Sequence, residues 1–84
     1  MDILYTARFL RSFKKLESGV QEDVAQAIDR FKNTKNHAQL RVHKLSGKMK
    51  GYSSFSANFL YRIVIKIEKS VVYIINVGTH SMYE

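Results

Sequence analysis

The apolar residues of this chain keep a helical period up to about residue 32 and a strand period from residue 53 onward, and the pattern never reverts. Helices first and strands later point to an α+β fold, in which a helical layer covers one face of a sheet. Eighty-four residues leave room for one hydrophobic core, so a single domain over residues 1–84 is expected.

The helical half opens with a short apolar strand, Ile3 to Tyr5, and then Thr6, whose hydroxyl can cap a helix. Phe9, Leu10, Phe13 and Leu16 predict one core-facing stripe. Ser18 followed by Gln21 has the spacing of a capping box, after which Val20, Val24, Ala27, Ile28 and Phe31 carry a second helix to about Lys32. The break at Glu17-Ser18-Gly19 is short, which predicts an antiparallel helix hairpin. In the strand half, Ser53, Phe55, Ala57 and Phe59 alternate with polar residues, Tyr61, Ile63, Ile65 and Ile67 form a second alternating run, and Val71 to Val77 is almost continuously apolar. Lys69-Ser70 fits a tight turn between the last two. The expected sheet is therefore twisted, mainly antiparallel and four-stranded, counting the N-terminal strand. The helix hairpin packs on one face and leaves Ser54, Ser56, Arg62 and Lys66 for the other.

Charge narrows the partners. Fourteen Lys and Arg against seven Asp and Glu give a net charge of +7, and no acidic residue occurs between Asp29 and Glu68. Such a run favours a phosphate-binding surface over a merely solvated one. Its centre, residues 33–51, has no clear period and reads as a long basic loop with a short strand around Leu40 to Leu45. Gly47 and Gly51, flanked by Lys44, Lys48 and Lys50, suit the gripping of RNA phosphates, but the spacing is not that of a nucleotide-binding P-loop.

Other chemistry is excluded by what the residues are. There is no cysteine, hence no disulfide and no thiolate-held zinc, and His37, His43 and His80 lack neighbouring carboxylates and any recurring ligand spacing. Neither a metal nor a small-molecule cofactor is expected. No stretch approaches the length of a membrane span, and Met1 to Tyr5 contains no basic segment leading into a long apolar one, so a cytoplasmic protein is expected.

Three stretches in this order, Val42-His43-Lys44-Leu45-Ser46-Gly47-Lys48-Met49-Lys50-Gly51-Tyr52, Tyr61-Arg62-Ile63-Val64 and Val77-Gly78-Thr79-His80-Ser81-Met82-Tyr83, resemble the RelE/ParE superfamily of bacterial toxin–antitoxin toxins. The Gly-Thr-His ending and the His-x-Leu-x-Gly loop are closest to its YafQ-like branch. The resemblance spans nearly the whole chain and implies a ribosome-dependent mRNA endonuclease (mRNA interferase), held inactive by a cognate acidic antitoxin. It implies catalytic roles for His80, His43 and Arg62 and a base-stacking role for Tyr83. Where the YafQ-like branch carries a further histidine and an aspartate, this chain has Ser56 and Leu60, and the basic residues that RelE has on its second strand are here Ser53, Phe55 and Ala57. Two other outcomes stay open: a ParE-like inhibitor of DNA gyrase acting by contact alone, and a RelE-fold binding module without catalysis.

Metal-free RNA cleavage uses the substrate's 2′-hydroxyl as nucleophile. It needs a base for that proton, an acid for the leaving 5′-oxygen and positive charge on the phosphorane. Two imidazoles and a guanidinium suffice in kind, with Lys44, Lys48, Lys50 and Lys66 as RNA-binding candidates. His80 follows a glycine-threonine pair at the end of the last strand, a place that presents a side chain at the sheet rim. His37 has no matched role and is expected to be structural.

Overall fold

The computed structural model describes residues 1–83, Tyr83 by its backbone only, and its elements follow the order β1 (Asp2–Tyr5), α1 (Ala7–Lys14), α2 (Ser18–Phe31), β2 (His43–Lys44), β3 (Ser53–Ser56), β4 (Tyr61–Glu68) and β5 (Val71–Thr79). Short 3₁₀ turns lie at Thr34–Asn36, Gly47–Met49 and His80–Tyr83. Thr6 caps α1 as its residue type suggests. Its Oγ1 accepts from the Phe9 amide at 3.1 Å and donates to the carbonyls of Ile74 at 2.8 Å and Ile75 at 3.1 Å. One hydroxyl thus starts the helix and fastens it to β5. Phe9 is buried and Phe13 and Leu16 pack against the core, but Leu10, one position round the helix, is 45% exposed.

The capping box does not form. The second helix begins at Ser18 itself, so Glu17 is the cap residue and makes no side-chain bond. Gln21 instead donates from Nε2 to the Phe13 carbonyl at 2.9 Å, satisfying the end of α1 and tying the helices together. The buried face of α2, Val24, Ala27, Ile28 and Phe31, rests on the sheet residues Phe55, Ile63, Ile65, Val72, Ile74 and Val77. Phe31 is stacked on both sides, by Phe55 with centroids 4.7 Å apart and by His37 at 4.5 Å. Each such fully buried side chain stabilises the fold by about 1.5–3 kcal/mol. His37 is structural, because its Nε2 also lies 2.8 Å from the Phe31 carbonyl, an atom that can only accept.

The sheet has five strands in the order β1-β5-β4-β3-β2, one more than the four expected. The fifth strand, β2, is the short strand expected around Leu40 to Leu45, reduced to the two residues His43 and Lys44 and paired with β3. β1 pairs parallel with β5 and every other pairing is antiparallel. A bulge lies between β4 and β5: Val64 pairs with Asn76 and Ile65 with Ile74, so Ile75 is the extra residue. The stretch 33–51 is not a free loop. The Leu40 side chain is buried, the Leu40 carbonyl accepts from Ser56 N at 2.8 Å, and Val42 N donates to His37 O at 3.0 Å. The strand expected through Phe59 ends at Ser56, because Asn58 closes a tight turn by accepting from Leu60 N at 2.9 Å and Tyr61 N at 2.8 Å.

Candidate nucleic-acid interface

Residues directly paired across antiparallel strands share a face of the sheet. Ile63, Ile65 and Phe55 mark the face under the helices, so the opposite face carries the row His43–Ser54–Val64 and, next to it, the row Ser56–Arg62–Gly78. Lys66 follows on β4. Ser56, Arg62 and Lys66 stand on the helix-free face as expected, partly exposed. Ser54 shares that face but, with its neighbour Val64, is buried, so it offers no surface to a ligand.

His43 is exposed, and its Nδ1 lies 2.7 Å from the Arg41 carbonyl. A carbonyl only accepts, so Nδ1 carries the hydrogen and Nε2 is left as the acceptor. The contact therefore fixes both ring orientation and tautomer. Arg62 uses Nη1 against the β3–β4 turn, toward the carbonyls of Asn58 at 3.1 Å, Tyr61 at 3.3 Å and Phe59 at 3.4 Å. Its Nη2 and Nε make no hydrogen bond among the described residues and remain able to donate to a phosphate.

His80 is exposed and begins the closing 3₁₀ turn, two residues after Gly78, the Cα partner of Arg62. That turn folds back over the sheet. A Cβ on Gly78 would stand 3.2 Å from Met82 Sδ, so the missing side chain is what lets Met82 settle there. Thr79 Oγ1 and Ser81 Oγ, 2.8 Å apart, bracket His80. The expected stacking role of Tyr83 falls on a side chain outside the described residues. His43 lies on β2 and His80 just past the end of β5, on opposite sides of the β4 strand that carries Arg62; β2 and β5 are three strand spacings apart, roughly 14 Å across the sheet at about 4.8 Å per spacing.

The lysines do not form one surface. Lys66 lies 3.3 Å from Glu68 Oε1 and 5.6 Å from the Tyr52 ring centroid, so its charge is already partnered. Lys44 pairs with Ser53, itself opposite the core residue Ile65, and thus points to the helix side, away from His43. Lys44 and Lys50 line a groove of about 590 Å³ with Leu45, Tyr52 and Ile67, while Lys48 lines a separate hollow with Ser46 and Met49. Near Arg62 the structure adds residues to which the sequence assigned no role: Gln39, Arg41, Asn58 and Phe59 line a cleft of about 340 Å³ together with Ser56 and Arg62. Only the Asn preceding a tight turn could have signalled this corner. Among the described residues no group of three His, Asp or Glu side chains could hold a metal ion, and no helix is long and apolar enough to cross a membrane.

No family model matches the chain and no curated protein matches it in sequence. Solved structures do match in fold. A YoeB/ParE toxin from Agrobacterium tumefaciens superposes with a TM-score of 0.77 at 20% identity, over 95% of this chain and 99% of that one. A chain of the E. coli DinJ–YafQ toxin–antitoxin complex gives 0.76 at 19% identity, over 96% and 93%. A chain of the RelBE2 toxin–antitoxin complex from Mycobacterium tuberculosis gives 0.69 at 20% identity, over 94% and 96%. The chain therefore has the α+β fold of RelE-like, ParE-like and YafQ-like toxins over nearly its full length.

Proposed function

We propose that this chain is the toxin of a toxin–antitoxin pair and acts as a metal-independent endoribonuclease on ribosome-bound mRNA. The observation that carries the reading is the placement of an oriented, acceptor-ready His43 and a rim His80 on either side of Arg62. In-line cleavage needs a base and an acid on opposite sides of the phosphorus, with positive charge between them. His43 Nε2 takes the proton of the 2′-hydroxyl, whose oxygen attacks the phosphorus. The bond to the 5′-oxygen breaks, His80 protonates that oxygen, and a 2′,3′-cyclic phosphate remains. Arg62, through Nη2 and Nε, holds the equatorial oxygens throughout.

An acidic antitoxin is the natural second partner, since a surface of +7 attracts carboxylate-rich segments and RNA alike. The similar DinJ–YafQ and RelBE2 structures, both toxin–antitoxin complexes, support that reading. The cytoplasm, where ribosomes are met, is the corresponding location. One observation favours a second reading, inhibition of DNA gyrase by contact: the two histidines are separated by most of the sheet's width, and a contact inhibitor needs neither. Primer extension on translated mRNA after induction separates the two. Cuts within codons that vanish in His80→Ala, with antitoxin binding retained, support the nuclease. Growth arrest without cuts, together with supercoiling inhibition, rejects it.

A further inference from the structure

Phe59 is 93% exposed, more than any other large apolar side chain among the described residues, yet its turn is firmly held. Asn58 Oδ1 accepts from the Leu60 and Tyr61 amides, Asn58 Nδ2 donates to Asp23 Oδ2 on α2 at 2.8 Å, and Arg62 Nη1 reaches the Asn58 and Phe59 carbonyls. An aromatic ring held in water adds almost no burial energy to the fold. Rigid presentation does, however, spare a binding partner the cost of ordering it.

The cleft that Phe59 walls has matching chemistry. Arg41 and Arg62 are its two charged lining residues, no carboxylate lines it, and Gln39, Ser56 and Asn58 add donors and acceptors. Arg41 stands at φ 58°, in the left-handed region that non-glycine residues seldom occupy. Strain of this kind collects at functional sites. We infer that this cleft binds one unpaired nucleotide of single-stranded RNA, with the base stacked on Phe59 and the phosphate gripped by Arg41 and Arg62. An acidic peptide would satisfy the arginines but would leave the exposed ring and the amide and hydroxyl groups without a purpose. Planar bases use all three. The inference rests on the reading that RNA is the substrate, but not on cleavage.

The chain has no tryptophan, so Phe59→Trp in the full chain places a single tryptophan at the site, whose longer-wavelength excitation separates it from the five tyrosines. A 2′-O-methylated RNA hexamer, which cannot supply the attacking hydroxyl, should quench it saturably, and a hexamer of the same length without bases should not. By anisotropy of the labelled hexamer, Phe59→Ala should bind roughly 5- to 150-fold more weakly, the range set by stacking one base. Arg41→Ala should weaken binding and flatten its log-log salt slope by about 0.7. Absence of quenching at saturating RNA, or wild-type affinity in Phe59→Ala, overturns the inference, and quenching by a glutamate-rich peptide alone assigns the cleft to a protein partner instead. Quenching in a chain that cleaves no mRNA sustains the cleft and removes the nuclease. Cleavage without quenching does the reverse.

Discussion

His43 offers a substitution that separates positioning from proton transfer. Asparagine places an amide nitrogen where the imidazole Nδ1 stands, so His43→Asn can keep the 2.7 Å bond to the Arg41 carbonyl while removing the acceptor Nε2. Losing that bond outright, as in His43→Ala, costs about 0.5 kcal/mol, the low end for a hydrogen bond because the residue is exposed. In a domain of this size that lowers Tm by about 2–4 °C. The asparagine variant should melt within about a degree of the parent chain. Removing an acid–base group, by contrast, slows the chemical step by about 10² to 10⁴, equivalent to about 2.7–5.4 kcal/mol on the barrier. Single-turnover cleavage of mRNA on programmed ribosomes, run beside thermal melts, gives both quantities. The expected result is that Asn and Ala are equally slow and differ only in stability. If His43→Asn cleaves within threefold of the parent, His43 serves to hold the Arg41 carbonyl and the base lies elsewhere.

Gly78→Ala tests the turn that carries His80. The new Cβ meets Met82 Sδ at 3.2 Å, a contact that this flexible side chain relieves by giving a few tenths of an ångström, so any loss of cleavage should fall well short of the ~10² that a misplacement of about 1 Å costs while RNA binding is kept; a loss of that size would show that the turn itself is displaced. Neutralising Lys44 and Lys50 together, which share one groove, should reduce the log-log salt slope of ribosome association by about two, and adding the Lys48 change should reduce it further only if the separate hollow it lines also faces rRNA. An unchanged slope in all three removes the 44–50 segment from the RNA surface.

What the sequence made legible was what periodicity encodes. α1 and α2, the long strands β4 and β5 and the Lys69-Ser70 turn follow from apolar spacing and turn chemistry, because burial imposes those patterns directly. β2 falls within the short strand expected around Leu40 to Leu45, but two residues have no period to fix its bounds, and the alternation through Phe59 extends β3 too far because it continues through a turn that Asn58 closes by side-chain bonds. The capping box failed for a related reason: Ser18 and Gln21 have the spacing, but spacing alone does not fix where the helix begins, and Gln21 found the Phe13 carbonyl instead.

The site was harder to read because it depends on which face each residue takes. Lys44 and His43 are adjacent in sequence, so in a strand they point to opposite sides, and a continuous basic run becomes two surfaces. Arg41 comes beside Arg62 only because the Leu40 carbonyl bonds the Ser56 amide, a contact that joins the irregular 33–42 segment to β3 across the sheet edge. A partner laid on the helix-free face can therefore block His43, Arg62 and the Phe59 cleft while leaving Lys44 and Lys50 open to other polyanions. Covering both basic surfaces at once requires a partner that wraps round the β2 edge and reaches both faces.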